Sequence, residues 1–323
     1  MGKHVLFIDG SAGTTGLRIR ERLADRDRFE LLALSEDRRK DPAARAAALA
    51  AADVAVLCLP DAAAREAVAL AGDSPVRIVD TSTAHRTAPG WVYGMPELPG
   101  ARERIRASRR VANPGCHASG FVALVAPLVR AGLLRPDAEL CAFSLTGYTG
   151  GGKKMIADYE GAARGAGRDP LLDAPRQYGL AQAHKHIPEM VAVCGLEKAP
   201  AFCPVVGDYA CGMEVTVPLF ASQLRGTRAD AADVYREAYP EGSGLIRFAE
   251  APDEAGFLSA GAFAGRDDMQ VAVLGSDERP LLVARFDNLG KGASGAAIQN
   301  LNILVGEPET AGLVLRSQPG PIA

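Results

Sequence analysis

The strongest constraint on the fold is a glycine-rich turn between a short apolar run and an amphipathic stretch. Val5–Ile8 predicts a strand, and the pattern G-x-x-G-x-x-G follows it directly, from Gly10 to Gly16. Glycines permit a tight turn that lets the backbone approach a pyrophosphate, and the helix behind it offers N–H groups and a positive dipole end. This context predicts nucleotide binding, although ordinary turns share the pattern. The expected cofactor contacts are Gly10, Ser11, Ala12, Gly13, Thr14, Thr15 and Gly16.

Strand and helix patterns continue to alternate over the first 115 residues. The further predicted strands are Glu30–Leu34, Val54–Leu59 and Arg77–Asp80. The predicted helices are Gly16–Asp25, Pro42–Ala52 and Asp61–Ala71, with Leu17, Ile19 and Leu23 as packing residues of the first. The third strand is almost continuously apolar, as strands buried in parallel sheets are. The alternation predicts an α/β fold with a Rossmann-like, doubly wound parallel sheet.

The rest of the chain predicts an α+β domain with an antiparallel or mixed sheet. A helix is expected from Cys116 to Ala131, and an alanine-rich one from Gly292 to Leu304. The strands expected between them are Glu139–Thr146, Cys211–Leu219, Gln270–Leu274 and Leu281–Phe286, with a helix at Ala229–Tyr239. A length of 323 residues fits two domains.

The loop after the second predicted strand bears on the choice of cofactor. Rossmann proteins that prefer NAD usually place an acidic residue there, which holds the ribose 2′-OH. Here a hydroxyl and two guanidiniums, from Ser35, Arg38 and Arg39, suit a 2′-phosphate. We therefore expect NADP(H). Glu36 and Asp37 leave NAD as an alternative cofactor. A solvated charged loop is the remaining alternative.

Cys116 differs from the other five cysteines in its setting. It follows Asn113-Pro114-Gly115 and begins a predicted helix, where the positive end of the helix dipole lowers a thiol pKa and favours the thiolate. A nucleophilic cysteine needs such a position. The others fit structural, reduced thiols, and no zinc-type spacing occurs; they are Cys58, Cys141, Cys194, Cys203 and Cys211.

Two of the five histidines, His184 and His186, stand two residues apart before a helix that starts with proline. A histidine near neutral pKa can serve as general base or acid beside a thiol. A surface turn or a metal pair would also use this pattern, but no third and fourth ligand stands at a usual spacing, so no metal is expected.

Two further loops carry groups that suit an anion. Asp80 to Arg86 follows the fourth predicted strand, with hydroxyls and a guanidinium. Thr146 to Lys154 is glycine-rich and has two lysines, but it lacks the Walker A form. Phosphate or another oxyanion of a substrate fits such loops, although either could be a surface turn.

Composition narrows the class of protein. The net charge is -3, so the basic excess of a nucleic-acid binder is missing. No apolar run reaches the ~18 residues of a membrane span, and the N-terminal run is too short for a signal peptide. We expect a soluble, cytoplasmic protein without nucleic-acid or membrane partners.

Together these motifs resemble the N-acetyl-gamma-glutamyl-phosphate reductase family, in its shorter-chain subfamily. The resemblance spans nearly the whole chain in family order. It rests on G-x-x-G-x-x-G from Gly10, D-T-S-T-A-H-R from Asp80, N-P-G-C from Asn113, H-x-H-x-P-E from His184, D-N-L-G-K-G-A-S-G from Asp287, and Gln299-Asn300.

The resemblance implies a fold like that of glyceraldehyde-3-phosphate and aspartate-semialdehyde dehydrogenases. A cofactor domain over residues 1–115 would be completed by a helix at 291–305, and residues 116–290 would form the catalytic and oligomerisation domain of a dimer or tetramer. Asn288, Lys291 and Gly292 would lie near the nicotinamide. The implied substrate ligands are Ser82, Arg86, Asn113, Lys153 and Glu189.

The resemblance also implies an oxidoreductase mechanism that belongs to arginine biosynthesis. Cys116 would attack the acyl phosphate of N-acetyl-glutamyl phosphate, phosphate would leave, and NADPH would reduce the thioester to the semialdehyde. His184 would protonate the oxyanion, with His186 as the alternative.

Two rival functions remain open at this point. One is another acyl-phosphate reductase with the same catalytic logic, either aspartate-semialdehyde dehydrogenase or a lysine-pathway relative. The other is a non-catalytic sensor that binds NADP.

Overall fold

The computed structural model describes residues 2–11, 13–161, 169–242 and 244–315. The chain divides into two compact units. Unit 1 comprises Met1–Gly115 and Ala293–Gly312, and unit 2 comprises Cys116–Gly292 and Leu313–Ala323. A C-terminal segment of the chain therefore returns to the unit that the N-terminal residues build.

Unit 1 contains, within its described residues, a six-stranded sheet of order β2-β1-β3-β4-β6-β5 in which all neighbours are parallel. The strands are β1 (His4–Asp9), β2 (Phe29–Leu32), β3 (Val54–Leu57), β4 (Arg77–Asp80), β5 (Val92–Tyr93) and β6 (Arg110–Ala112). The helices up to residue 115 are α1 (Thr14–Leu23), α2 (Pro42–Ala51), α3 (Asp61–Ala71) and α4 (Ala101–Ala107). The strand order reverses at β1, and ligands of such sheets bind at that point, outside the carboxyl ends of the strands.

The predicted parallel sheet is confirmed, and its core follows the apolar pattern. All four residues of β3 are buried, as the continuous apolar run predicted. In α1, Ile19 and Leu23 are buried, but the prediction for Leu17 was wrong, because its side chain is 46% exposed. Leu17 lies on the side of the helix that lines an open cleft beside the glycine turn, so it does not pack on the sheet.

Unit 2 contains, in the part of it that the structure describes, a seven-stranded mixed sheet of order β11-β12-β13-β10-β7-β9-β8. Its strands are β7 (Cys141–Gly147), β8 (Arg176–Gln177), β9 (Ala201–Gly207), β10 (Met213–Pro218), β11 (Ile246–Phe248), β12 (Met269–Gly275) and β13 (Pro280–Phe286). Its helices are α5 (Cys116–Arg130), α6 (Gly152–Glu160), α7 (Ile187–Cys194) and α8 (Arg228–Ala238). The expected α+β domain with a mixed sheet is confirmed.

Helix α5 is the centre of unit 2. It contacts β10 and β13 as well as α7 and α8, so most of its surface is covered. Gly120 lets it approach the sheet closely, because a Cβ there would lie 2.6 Å from the Val215 side chain. This packing fixes the position of Cys116, the first residue of the helix.

The other face of the sheet in unit 2 is more open. Burial alternates along β7, so that Phe143 and Leu145 are exposed while Ala142 and Ser144 are buried. In β9 the alternation is the same, and Cys203 and Val205 are only half-buried. We refer to Phe143, Leu145, Cys203 and Val205 as the outer face.

The last helix begins later in the chain than predicted. A π-helical turn, Gly290–Ser294, precedes α9 (Gly295–Val305). This turn passes close to the Arg266 carbonyl, since a Cβ at Gly290 would lie only 1.9 Å from that oxygen. Among the described residues, no helix combines the length and the apolar character needed to cross a membrane.

Candidate active site

The glycine turn after β1 has the geometry of a phosphate-binding loop. Gly10 has φ +85, and a Cβ there would lie 2.3 Å from the Cys58 carbonyl oxygen. At Gly16, a Cβ would lie 2.6 Å from the Gly10 carbonyl oxygen. The N-cap residue of α1 is Gly13, which has no side chain to accept hydrogen bonds from the first-turn amides. These amides therefore suit a pyrophosphate. Ala12, one of the expected contacts, lies outside the described residues.

An open cleft of about 520 Å³ adjoins this turn. Gly10 and Ser11 line it, together with three basic side chains, those of Arg20, Arg39 and Lys40. Glu36 also lines the cleft and forms an ion pair of 2.6 Å with Arg39.

Two of the residues that were expected to bind the cofactor do not line this cleft. Among the described residues that line it, neither Ser35 nor Arg38 occurs. Ser35 instead hydrogen-bonds the Asp37 carboxylate, which lowers the pKa of that carboxyl. The basic charge in the cleft thus comes from Arg39, as expected, and from Arg20 and Lys40, which were not among the expected cofactor contacts.

The turn after β4 is organised around the buried Asp80 carboxylate. Ser82 donates its hydroxyl to this carboxylate at 2.7 Å and accepts from the Ala84 amide at 3.1 Å. His85 contacts the same carboxylate through Nδ1 at 2.6 Å. These bonds occupy the Ser82 hydroxyl within the turn, so they argue against the expected substrate contact of Ser82.

Asn113 and Arg86 are held by bonds inside unit 1. Asn113 donates its amide to the Ala293 carbonyl at 3.1 Å and accepts from the Asn300 amide at 3.0 Å. Arg86 donates to the Asn113 carbonyl at 3.0 Å and to the Thr81 carbonyl at 3.2 Å. Asn113 therefore acts as a brace between β6 and α9. The guanidinium of Arg86 is fixed in position.

In unit 2, Cys116 is half-buried at the start of α5. The first amides of a helix have no acceptor within the helix, so they favour a thiolate at this position. Burial raises the pKa of Cys58 to about 12, and it also raises the pKa of Cys194. The pKa of Cys141 is raised as well, by burial and by the neighbouring Cys203. These thiols fit the structural roles that were expected for them.

Gly292 lies against Cys116. A Cβ at Gly292 would lie 2.9 Å from the Cβ of Cys116 and 3.1 Å from the Asp287 carbonyl oxygen. The first distance is too short for two carbon atoms and the second is tighter than usual, so a side chain at this position would require Cys116 to shift.

Replacing Gly292 with alanine is therefore expected to displace Cys116 and to lower kcat by about 100-fold, the usual cost of a reacting group that is misplaced by 1 Å. Steady-state NADPH oxidation measures the effect. Gly261→Ala is the control, because the nearest atom to a Cβ there is the Ser259 hydroxyl at 3.5 Å, an ordinary contact. Unchanged turnover in Gly292→Ala would contradict the close approach.

Beside the start of α5, His184 and His186 belong to a cluster of four histidine and tyrosine rings. The ring centre of His117 lies 5.4 Å from each of these two histidines and 6.1 Å from that of Tyr178. His117 directly follows Cys116 in α5, and the pKa of Tyr178 is raised by burial and by the charge of Cys116. The structure thus brings the predicted histidine pair into the neighbourhood of Cys116.

The two predicted histidines differ in their hydrogen bonding. The His186 amide donates to Nδ1 of His184 at 3.2 Å. Nδ1 is therefore an acceptor, and neutral His184 carries its proton on Nε2. His186 is buried at the start of α7, and Glu189 is also buried in the first turn of that helix.

Asn288 and Lys291, expected near the nicotinamide, are both buried. The Asn288 side chain accepts from the Gly212 amide at 2.9 Å and donates to the Thr149 hydroxyl at 3.0 Å. It therefore braces the glycine-rich segment that follows β7. Lys153 is exposed on α6, because the predicted loop continues into a helix from Gly152.

His117 and Tyr178 were missed by the motif analysis. The sequence offers a reason to select His117, since this residue directly follows the candidate nucleophile. It offers no reason to select Tyr178, because the place of Tyr178 in the cluster depends on the pairing of β8 with β9, a contact that no local pattern reports.

Comparison with known proteins identifies relatives of both units. Residues 6–108 match the family model "Semialdehyde dehydrogenase, NAD binding domain", and residues 116–288 match "Semialdehyde dehydrogenase, dimerisation domain". The chain is 45% identical over 326 residues to N-acetyl-gamma-glutamyl-phosphate reductase 2 of Nostoc sp., covering 97% of this chain and all of that protein. It is 46% identical over 313 residues to N-acetyl-gamma-glutamyl-phosphate reductase of Brucella ovis, covering 94% of this chain and 100% of the relative.

Solved structures with a similar fold include aspartate semialdehyde dehydrogenases. Enzyme II of Vibrio cholerae has a TM-score of 0.70 at 17% identity, over 95% of this chain and 99% of that one. The Candida albicans enzyme, solved with NADP, has a TM-score of 0.65 at 16% identity, over 94% of this chain and 99% of that one. At such identities the likeness shows the fold alone, and it confirms the fold class that the sequence predicted.

Proposed function

Because the chain belongs to the semialdehyde dehydrogenase family, and within it to the N-acetyl-gamma-glutamyl-phosphate reductases, we propose that it reduces N-acetyl-glutamyl 5-phosphate to N-acetyl-glutamate 5-semialdehyde and phosphate. The reaction belongs to arginine biosynthesis, and it makes the chain an oxidoreductase. The observation that carries the proposal is the half-buried thiol of Cys116 at a helix start, beside the cluster of His117, Tyr178, His184 and His186.

The first chemical step uses the thiolate of Cys116. Its sulfur attacks the acyl carbon, a C–S bond forms, the C–O bond to phosphate breaks, and inorganic phosphate leaves. The product is a thioester on Cys116. When bound, a nicotinamide cofactor would supply the hydride that reduces this thioester. The thiohemiacetal oxyanion on Cys116 would then collapse, the C–S bond would break, and the semialdehyde would leave with Cys116 as the thiolate.

We propose that His184 donates a proton to the acyl oxygen. Its Nδ1 accepts the His186 amide, so the proton of the neutral ring is on Nε2 and can be donated to an oxyanion. His186 remains the alternative.

Anion binding is proposed for Arg86, which two carbonyls hold in place, and for the exposed Lys153. Either side chain would neutralise a phosphate or a carboxylate of the substrate.

The residues of unit 1 fit NADP(H). The glycine turn is tight, since a Cβ at either Gly10 or Gly16 would collide with backbone atoms, and no side chain of the N-cap residue Gly13 occupies the first amides of α1, which suit a pyrophosphate. The basic side chains of Arg20, Arg39 and Lys40 around the adjoining cleft suit a 2′-phosphate. Glu36 is the acidic group that could instead hold a ribose hydroxyl, but it is engaged with Arg39.

Replacing Arg39 with leucine is expected to raise the KM for NADPH about 10–100-fold, because a charge-assisted hydrogen bond to the 2′-phosphate is lost. The KM for NADH should change little. Arg38→Leu is the matched control, since Arg38 neighbours Arg39 but does not line the cleft among the described residues. Equal effects of Arg39→Leu on both cofactors would contradict a 2′-phosphate site.

A second copy of the chain is the proposed partner of the outer face. Phe143 is 47% exposed and Leu145 is 38% exposed on neighbouring outward positions of β7, and this unit matches a dimerisation domain. We expect sedimentation analysis to show at least a dimer, and Phe143→Asp to shift it toward the monomer. A monomeric wild-type protein would contradict this assignment.

A substrate panel tests the proposed reaction. We expect NADPH oxidation with N-acetyl-glutamyl phosphate and little with aspartyl phosphate. Turnover of aspartyl phosphate alone would overturn the proposal and would favour the aspartate-semialdehyde reaction instead.

A further inference from the structure

The turn that follows β13 is organised by a carboxylate that the reaction scheme does not use. Asp287 is the first residue after this strand, and it is 0% exposed. Its Oδ1 accepts from the Leu289 amide at 2.7 Å and from the Gly290 amide at 2.9 Å, and its Oδ2 accepts from the Gly265 amide. The side chain thus closes the turn and also ties it to the loop that precedes β12.

The same turn reaches the nucleophile. The carbonyl oxygen of Asp287 accepts from the Gly292 amide at 3.0 Å. A Cβ at Gly292 would lie 2.9 Å from the Cβ of Cys116, so the backbone of Gly292 packs directly on this side chain. Gly290 is confined on two sides, because a Cβ there would lie 1.9 Å from the Arg266 carbonyl oxygen and 3.0 Å from the Cβ of Asp287. The path from Asp287 to Cys116 therefore consists of hydrogen bonds and close contacts.

The bonding of Asp287 requires a side chain that accepts at both ends. A carboxylate has two acceptor oxygens, whereas an asparagine amide has one oxygen and an NH2 group that only donates. In asparagine, the NH2 group would face a backbone N–H on one side of the turn. A buried amide that loses its acceptor is costly, so the turn would lose one of its anchors.

We propose that Asp287 is a positioning residue for Cys116, because it holds the turn in the form that keeps Gly292 against the nucleophile. Cys116 begins α5, whose first amides have no acceptor within the helix and favour a thiolate that stays beside them. Gly292 limits the movement of the Cys116 side chain away from this place. The proposal relies on the proposed function only in that Cys116 is the nucleophile.

Alkylation measures the effect on Cys116 without any substrate. The rate at which iodoacetamide modifies the Cys116 peptide, followed by mass spectrometry against pH, gives the midpoint of thiol ionisation. Asp287→Asn is expected to raise this midpoint by about half a pH unit, because a looser turn lets the sulfur move away from the first amides of α5. Gly292→Ala should raise it by about one unit, since the methyl group displaces Cys116.

The double variant Asp287→Asn/Gly292→Ala separates positioning from a general loss of stability. A turn that has already been loosened can accommodate the added methyl group. Gly292→Ala should therefore cause a much smaller shift in the Asp287→Asn background than in the wild-type protein. Two substitutions that act independently would instead give the sum of their separate shifts.

Asp230→Asn is the matched control. The carboxylate of Asp230 also accepts a backbone amide, that of Thr227 at 2.7 Å, but it caps α8. This variant should lower the melting temperature and leave the midpoint unchanged, and Gly292→Ala should cause its full shift in this background. Asp287→Glu is the second variant if Asp287→Asn does not fold. It keeps a carboxylate, but the extra methylene moves both oxygens from their places, so a shift in the same direction is expected.

An unchanged midpoint in the folded Asp287 variant would overturn the proposal, as would additive shifts in the double variant. Since no acyl phosphate is used, these results stand apart from the substrate panel, in which a failure of the proposed function would appear.

Discussion

Replacing Cys116 with serine is expected to lower kcat by a factor on the order of 10⁴ or more, as the loss of a covalent nucleophile does in other enzymes. A serine hydroxyl is not ionised by a helix terminus at neutral pH, so the thioester step has no substitute. NADPH binding should persist, because the glycine turn and the basic cleft belong to unit 1 and Cys116 belongs to unit 2. Steady-state turnover and a fluorescence titration with NADPH measure the two properties.

Cys194→Ala is the matched control for this experiment. Cys194 is a buried thiol at the end of α7, outside both the cluster near Cys116 and the outer face, and its loss should leave kcat within about twofold, as for changes away from a site. Retained turnover in Cys116→Ser would exclude the thioester mechanism. Absent turnover in the wild-type protein with intact NADPH binding would instead favour a sensor.

Replacing His184 with asparagine is expected to lower kcat by ~10²–10⁴-fold, the usual contribution of general acid–base catalysis. Asparagine keeps a hydrogen-bonding side chain but cannot transfer a proton. The limb of the pH–kcat profile that depends on the ionisation of the histidine should disappear. A variant that only loses packing would keep this limb. His186→Asn should have the smaller effect, and His4→Asn, a change at the start of β1, should have none. A larger loss in His186→Asn would transfer the acid–base role to that residue.

The elements of unit 1 were largely predictable because their signals are local. The predicted and observed bounds of α3 and β4 coincide, and those of β3 and α2 differ by no more than two residues. Apolar runs flanked by proline or glycine determine such elements within a few residues of chain. The exposed Leu17 shows where such a prediction fails. Helical periodicity identifies the apolar positions of a helix, but it does not show whether they pack in the core or line a ligand cleft.

Unit 2 was less predictable where its structure depends on distant contacts. Strand β9 carries Pro204 and has β7 as its parallel neighbour, so its hydrogen bonds come from a segment 60 residues earlier in the chain. Helix α6 starts in a glycine-rich segment that reads as a loop. Both elements form through tertiary contacts that override local propensity.

The residues of the candidate site likewise fall into two groups, those that the local sequence identifies and those that depend on tertiary contacts. Cys116, His184 and Gly10 were recognised because motif and position in the chain suffice to identify them. The bonds that occupy Ser82 and brace Asn113 could not be predicted, since a motif does not show whether a polar group is already satisfied. Tyr178 joins the cluster only through sheet pairing, and this explains why no sequence pattern selected it.

The most direct test is to mix the enzyme with N-acetyl-glutamyl phosphate in the absence of NADPH and to analyse the protein by mass spectrometry. We expect release of phosphate and a mass increase equal to one N-acetylglutamyl group on the Cys116 peptide, which added NADPH then discharges as the semialdehyde. An adduct on another cysteine, or no adduct while turnover with NADPH proceeds, would contradict a thioester on Cys116.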